Sequence, residues 1–256
     1  RTLLSVEPTF CELGAAARAA GARVLEWRSR EEAGFSPDLE AVEHAARAAQ
    51  VDAIYLCSPN TPTGSALPIA SIAAFARRLT GVWLVLDQSF LSLSELHADA
   101  STRLPPQVVC VRSLTKDHGI PGVRVGYAIA SAALCQALEA SRPAWTTSAF
   151  AQAAALASCQ CQAFVADSRE RLLEDRRALA RDLAGLGLET LPSRTTFLLT
   201  RLPAVAELRR ALLSRHRILV RDCASFGLPG FVRLGAKPPP ARERLIEALR
   251  RVGVGR

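Results

Sequence analysis

Two kinds of apolar pattern alternate along the first 140 residues of the chain. Short runs of consecutive apolar residues are typical of strands buried on both faces, whereas apolar residues recurring every three or four positions indicate helices. The runs predict an opening strand within 1–10 and further strands at 23–27, 53–57, 82–86, 108–111 and 123–130. Helical spacing predicts helices at 11–20, 37–49, 68–79 and 132–140, the second with Ser36 as its N-cap. This alternation favours an α/β fold, a mostly parallel sheet with helices on both faces.

The second half of the chain has a different pattern. Residues 148–186 indicate a nearly continuous helix, rich in alanine first and in charged residues later. Strands at 196–200, 218–221 and 231–234, with helices at 205–216 and 241–252, then predict a small α+β domain. Because a long helix commonly bridges two domains, we expect a large domain over 1–160 and a small C-terminal domain over 161–256.

The composition is that of a globular protein. With 256 residues, 49% of them hydrophobic, the chain can bury a substantial core. No apolar run approaches the ~20 residues that cross a bilayer, and no signal-peptide pattern is present at the N-terminus. The seven cysteines form no C-x-x-C pair and are expected to be reduced thiols. We therefore expect a cytoplasmic protein with neither a membrane nor a metal partner.

The net charge of +8 is spread along helices in which glutamates accompany the arginines, as in Arg169-Glu170-Arg171. A nucleic-acid interface would set a basic block apart or interleave it with aromatic residues. The charge therefore favours small acidic ligands over nucleic acid.

One lysine stands out among these arginines. The chain has two lysines, Lys116 and Lys237, and Lys116 follows the strand at 108–111 in a turn that also contains Ser113. Open α/β sheets bind ligands at the carboxyl ends of their strands, and an amine can attack a carbonyl, which a guanidinium cannot do. We therefore interpret Lys116 as a Schiff-base lysine, the alternative being an ordinary lysine in a surface turn.

The motif around this lysine resembles the cofactor loop of the fold-type I pyridoxal-phosphate enzymes, of which the class I/II aminotransferases are the largest group. It has the form S-x-x-K, with Arg124 eight residues after the lysine and then G-Y. The resemblance implies that Lys116 forms the aldimine with pyridoxal 5'-phosphate and that Ser113 and Arg124 hold the phosphate. Hydroxyl donors and a forked cation suit a phosphate dianion.

Other motifs resemble the same family in the same order along the chain. P-T-F implies that Phe10 stacks on the pyridine ring, and D-Q-S-F implies that Asp87 keeps the pyridine nitrogen protonated. S-P-N-T-P-T-G resembles N-P-N-N-P-T-G, so Thr61 takes the place of the donor to the cofactor's phenolic oxygen, with Asn60 as a neighbour that could compensate. Phe90 occupies a position where many relatives have tyrosine.

Two arginines of the second half complete the predicted site. Arg233 lies inside an apolar strand and Arg221 ends one, and a desolvated arginine usually binds an anion. The resemblance implies that Arg233 binds the substrate α-carboxylate and Arg221 a second anionic group such as a phosphate. The alternative is a pair of structural salt bridges.

The resemblance leaves three functions open. The first is an aminotransferase acting on a small phosphorylated amino acid, as in histidinol-phosphate aminotransferase, and the second is a decarboxylase of the threonine-phosphate type found in cobalamin side-chain synthesis. The third is a non-catalytic, aminotransferase-like ligand-binding domain. The resemblance also implies a homodimer for the whole protein. Because the family carries a segment before the P-T-aromatic turn, we expect this chain to lack it, and with it much of the affinity for the cofactor.

Overall fold

The computed structural model describes residues 1–254. The strands of this part are β1 Thr2–Glu7, β2 Arg23–Arg28, β3 Ala53–Cys57, β4 Trp83–Asp87, β5 Val108–Ser113, β6 Gly126–Ile129, β7 Phe197–Arg201, β8 Arg221–Asp222 and β9 Phe231–Gly235. Its α-helices are α1 Glu12–Ala19, α2 Leu39–Ala48, α3 Ile69–Arg78, α4 Leu114–Asp117, α5 Ala132–Ser141, α6 Ala149–Cys159, α7 Gln162–Ala184, α8 Val205–His216 and α9 Pro239–Arg251.

The first six strands form one sheet in the order β2-β1-β3-β4-β5-β6. Its strands are parallel except β6, which runs antiparallel to β5. Parallel neighbours require crossover connections, which the helices α1 to α3 provide as far as β4, whereas the connection from β4 to β5 contains two short 3-10 helices. The predicted mostly parallel α/β sheet is therefore confirmed.

The two faces of this sheet pack against different helices. Alternate strand residues such as Leu4, Ile54 and Leu86 form one core with α2 and α3. The residues between them face α1, and Leu3, Tyr55 and Cys57 are buried there. Burial on both faces explains why these strands have continuous apolar runs.

A second sheet, ordered β7-β9-β8 and antiparallel, follows α7. One of its faces packs on apolar residues of α7, α8 and α9, including Leu183, Leu212 and Leu249. Its other face contributes Phe231 to a smaller core that also contains Phe35 from the first half of the chain. The predicted small α+β unit is therefore present.

The long helix predicted at 148–186 is wrong as one element. The axes of α6 and α7 differ by 80°. Neither glycine nor proline occurs at the break, where the Cys161 amide donates to the Ser158 carbonyl at 3.1 Å. Among residues 1–254, no single helix is long and apolar enough to cross a membrane, although α6 and α7 taken together pass on length and composition.

The N-cap predicted at Ser36 is also wrong. The Asp38 carboxylate accepts from the Glu40 amide at 2.9 Å, so α2 begins at Leu39. A side chain placed to bind the first free amides is what fixes a helix start.

Two strands are shorter than predicted. Arg124 has φ +57°, a left-handed conformation that interrupts the strand expected at 123–130, so β6 starts at Gly126. The Ile218 amide donates to Leu212 O at 3.0 Å, so the segment expected as a strand at 218–221 first closes α8. The expected turn between Ser113 and Gly119 contains the single helical turn α4.

Candidate active site

The polar residues singled out in the sequence lie at one edge of the large sheet. The strands β1, β3, β4 and β5 are parallel neighbours, so their carboxyl ends lie side by side. Phe10, Thr61, Asp87 and Lys116 follow or end these strands. The topology therefore brings together motifs that are far apart in sequence, as expected for an open α/β sheet.

Asp87, the last residue of β4, is half-buried and oriented by two neutral donors. The Ser89 amide donates to Oδ1 at 2.8 Å and the Tyr55 hydroxyl donates to Oδ2 at 3.0 Å. Among residues 1–254 no ion pair includes Asp87. A partly buried carboxylate without an ion-pair partner favours binding of a cation beside it.

Sequence reasoning missed Tyr55. Its side chain is 2% exposed, and burial raises the pKa of the phenol well above its usual range. A signal was available, because Tyr55 is one of two tyrosines in the chain and is the one aromatic residue of β3. Its partner could not have been identified without the register of β3 and β4.

Asn60 has a different role from the one suggested by the sequence. Its Nδ2 group donates to the Pro8 carbonyl at 2.8 Å and to Thr63 Oγ1 at 2.9 Å, while its Oδ1 accepts from the Thr9 hydroxyl at 2.9 Å. One amide proton thus joins the turn after β3 to the turn after β1, and the other is used within the turn after β3. Asn60 has no donor left to compensate for Thr61.

Thr61 is linked to the small sheet by Arg233 of β9. Arg233 Nη1 donates to Thr61 Oγ1, which leaves the threonine hydroxyl its own proton to donate. The guanidinium also lies over the Phe197 ring, 5.1 Å from its centroid. Burial lowers the pKa of Arg233, the Cys223 thiol opposes that effect, and the neighbouring Arg221 cation reinforces it. An anion bound at Arg233 would relieve both penalties.

The aromatic contact continues from Phe197 to the predicted Schiff-base lysine. Phe197 packs edge-on against Phe90 with ring centroids 5.1 Å apart, and Lys116 Nζ lies 5.6 Å from the Phe90 centroid. Lys116 is exposed and takes part in none of the ion pairs found in residues 1–254. Phe90 and Phe197 therefore separate an unpaired amine from the arginine predicted to bind a carboxylate.

The predicted phosphate ligands are only partly assembled. Ser113 is buried, and its hydroxyl lies 2.7 Å from that of Thr115, a residue that the sequence did not single out. Arg124 is exposed and donates to the Pro121 carbonyl of its own turn at 2.9 Å. The structure thus supplies two adjacent hydroxyls beside Lys116, while Arg124 is directed elsewhere.

The two remaining predicted residues are more exposed. Phe10 is 42% exposed in the turn between β1 and α1. Arg221 is exposed, donates to the Ser225 hydroxyl at 2.9 Å and lies 5.0 Å from the Phe226 ring centroid. It is paired directly with Arg233 across β8 and β9, so both side chains project from the same face of the small sheet. Neither arginine forms a salt bridge among residues 1–254, contrary to the structural alternative.

Comparison with known proteins identifies relatives of this arrangement. Residues 1–252 match the family model described as Aminotransferase class I and II. The chain is 28% identical over 205 residues to histidinol-phosphate aminotransferase 2 of Carboxydothermus hydrogenoformans. The aligned residues cover 78% of this chain and 57% of that protein. The chain spans about half the length of the curated relatives it matches.

Two solved structures are similar throughout the chain. Histidinol-phosphate aminotransferase from Sinorhizobium meliloti, in complex with pyridoxal-5'-phosphate, has a TM-score of 0.84 and 25% identity, covering 98% of this chain and 71% of that one. L-threonine-O-3-phosphate decarboxylase from Porphyromonas gingivalis has a TM-score of 0.78 and 29% identity, and the match covers 98% of this chain and 76% of that one. The resemblance inferred from the sequence motifs is confirmed.

Proposed function

This chain belongs to the class I and II aminotransferase family, and on that premise we propose that it acts in pyridoxal-phosphate-dependent transfer of an amino group from a small phosphorylated amino acid. The observation that carries the proposal is the series of contacts from Lys116, an amine in no ion pair of residues 1–254, through Phe90 and Phe197 to Arg233. Asp87 completes the set at the end of the adjacent strand.

The side chains present fit the chemistry of pyridoxal phosphate. Asp87 is a shielded carboxylate held by two neutral donors, which suits a protonated pyridine nitrogen. The adjacent Ser113 and Thr115 hydroxyls suit a phosphate. Thr61 accepts from Arg233 and still has a proton for a phenolic oxygen.

Each residue then has a distinct task. When bound, the cofactor supplies an electron sink conjugated with the substrate α-carbon. Lys116 would supply a nucleophilic amine and would move a proton at that carbon. Asp87 holds the proton on the pyridine nitrogen. We retain Arg124 as a phosphate ligand and Phe10 as the ring stacked on the pyridine, both proposed from the family pattern.

Two arginines support a substrate with two anionic groups. Arg233 would bind the α-carboxylate, a role supported by its contacts with Thr61 and Phe197. Arg221, its cross-strand partner, would bind the phosphate. Two cations on one face repel each other, and two bound anionic groups would remove that repulsion.

Decarboxylation is the second candidate. It is favoured by the similarity to the Porphyromonas gingivalis decarboxylase, whose identity to this chain, 29%, exceeds the 25% of the Sinorhizobium meliloti aminotransferase. The two reactions differ in which bond of the α-carbon is broken. A non-catalytic ligand-binding role is the third.

The first experiment tests the lysine. Pyridoxal phosphate is added to the protein, the product is reduced with borohydride, and peptides are mapped by mass. The label should appear on Lys116 in the parent and in Lys237→Ala, and it should be absent in Lys116→Ala. Lys237→Ala is a matched control, since the sequence has only these two lysines. Labelling of Lys237 instead, or of neither, would refute the assignment.

The second experiment separates the three functions by their products. Histidinol phosphate with a 2-oxo acid acceptor should give the amino acid of that acceptor without carbon dioxide. L-threonine phosphate without an acceptor would give carbon dioxide if the protein is a decarboxylase. Borohydride labelling of Lys116 with neither product would indicate ligand binding alone.

We further propose a large domain over 1–160, a small domain over 161–256, a homodimer of the whole protein and a cytoplasmic location. The domains are supported by the 80° break between α6 and α7 and by the separate cores.

A dimer is supported by exposed apolar side chains clustered in one part of the sequence. These are Tyr127, Ile129, Leu138, Trp145, Phe150, Leu156 and Phe164. The location is supported by seven cysteines that are all unpaired.

A further inference from the structure

We propose that Tyr55 is a positioning residue for Asp87: its hydroxyl fixes one carboxylate oxygen while the Ser89 amide fixes the other, so that Asp87 presents a single orientation to the cofactor's pyridine nitrogen. The inference deepens the proposed function and rests on it. It adds to the site a residue that binds neither substrate nor cofactor.

The contact follows from the pairing of β3 with β4. Cys57 is opposite Asp87 in the register, and Tyr55 lies two residues before Cys57, so these side chains share one face of the sheet. The phenol is long enough to bridge the offset along the strand, and its oxygen lies 3.0 Å from Asp87 Oδ2. Shorter side chains at position 55 could not reach the carboxylate.

The Tyr55 hydroxyl acts only as a donor in this contact. Burial raises the pKa of Tyr55 well above its ordinary value, and Cys57 and Asp87 add to the effect. The phenol therefore keeps its proton throughout the neutral pH range. A hydrogen bond donated to a charged group is among the stronger and more directional interactions in proteins, so it limits rotation of the Asp87 carboxylate.

Filling of the core does not account for the hydroxyl. The Tyr55 ring packs in a small cluster with Leu3 and Val85, where a phenylalanine would occupy the same space. Burying a phenol oxygen is unfavourable unless it has a partner. Asp87 is that partner, and the phenol in turn gives this half-buried carboxylate a fixed geometry.

A double-mutant cycle on cofactor binding tests the proposal. The dissociation constant for pyridoxal phosphate and the visible circular dichroism per bound cofactor are measured for the parent, Tyr55→Phe, Asp87→Ala and the double variant. Tyr55→Phe should raise the dissociation constant about 3- to 10-fold and reduce the dichroism, which is less than the full value of a hydrogen bond to a charged group because Tyr55 acts on the cofactor only through Asp87. Added to Asp87→Ala, the same change should alter the constant less than about twofold, because the group that it orients is gone.

Tyr127→Phe is the matched control, since it removes the hydroxyl of the only other tyrosine, which is 43% exposed on β6. It should leave both measurements unchanged. Equal effects of Tyr55→Phe with and without Asp87 would mean that Tyr55 acts through packing, and no effect would mean that its hydroxyl is dispensable. Either outcome overturns the inference while cofactor binding by the parent keeps the proposed function intact. A parent that binds no pyridoxal phosphate overturns both.

Discussion

Replacing Arg233 with lysine should separate recognition of the α-carboxylate from the rest of the site. The substitution keeps the positive charge but loses the planar fork that can hold a carboxylate through two parallel hydrogen bonds. It also removes the donor to Thr61 and the contact of the guanidinium with the Phe197 ring. Lysine cannot bridge these partners at the same time.

The expected size of the effect follows from the lost fork. One hydrogen bond to a charged group contributes about 1–3 kcal/mol, which corresponds to a change of about 5- to 150-fold in affinity. Arg233 is partly buried beside Phe197, so solvent compensates only partly for its loss. We therefore expect KM for an amino donor such as glutamate to rise within this range, with a smaller fall in kcat.

Arg221→Lys is the matched control, because Arg221 is the direct cross-strand partner of Arg233. It should weaken binding of phosphorylated substrates and leave the KM for glutamate nearly unchanged. The assay compares initial rates for glutamate and for a phosphorylated amino donor in both variants. If Arg233→Lys leaves the KM for glutamate unchanged, Arg233 does not bind the carboxylate and its role is to join Thr61 to the small sheet.

Three further substitutions test other parts of the structure. Asp87→Ala should lower kcat about 100-fold or more, which is the scale of losing one preorganised electrostatic group. Far-UV circular dichroism should stay unchanged. Activity within a few-fold of the parent would mean that Asp87 has only a structural role. Gly64→Ala should lower the free energy of unfolding by about 2 kcal/mol or more, because Gly64 has φ +76° and a Cβ would overlap the Ser193 side chain. Gly81→Ala, at φ +72° with open space around it, should cost about 1 kcal/mol, and equal losses would contradict the overlap. Burial raises the pKa of Asp117 above 3.8, and Oδ1 has no partner among the described residues. The folded state thus binds this proton more tightly than the unfolded state, so the stabilisation is complete below pH 3.8 and is lost as pH rises through the raised pKa. Asp117→Asn should make the free energy of unfolding, measured by urea titration, fall less steeply with pH. An unchanged dependence on pH would exclude Asp117 as its source.

The strands were the most predictable part of the fold. Sequences such as Ala53–Cys57 are apolar throughout because both faces of the parallel sheet are covered, and such runs are visible without any knowledge of their neighbours. The break between α6 and α7 gave no comparable signal. Both flanking segments favour helix, and the chain turns where Ser158 and Val165 become buried. That choice is made by tertiary packing and not by local propensity.

The start of α2 shows how local the ambiguity can be. Ser36 and Asp38 are both good N-cap residues, and Pro37 between them is acceptable in a first turn. Only the position of the Asp38 carboxylate, which accepts from the amides of Glu40 and Ala41, decides between them. A difference of two residues leaves the helix face and its buried Val42 unchanged, so the error did not affect the predicted fold.

The candidate site was predictable to the extent that each residue has its own motif. Lys116, Asp87 and Arg233 were each identified from nearby residues, but their mutual contacts were not. Arg233 reaches Thr61 across 172 positions of sequence, and Tyr55 reaches Asp87 across 32. These contacts depend on strand register and on how the small sheet meets the large one, and neither is encoded in a short motif.

These contacts also change the interpretation of two unusual residues. Thr61 and Phe90 replace an asparagine and a tyrosine of the family pattern, which on sequence alone weakens the expected hydrogen bonding to a phenolic oxygen. In the structure Thr61 accepts from Arg233, and Phe90 packs against Phe197, which in turn contacts Arg233. A hydroxyl that accepts from a guanidinium is polarised and becomes a better donor through its own proton. We therefore expect the two substitutions to act together: Phe90 supports Phe197, the ring that contacts the arginine, and the arginine strengthens Thr61 as a donor.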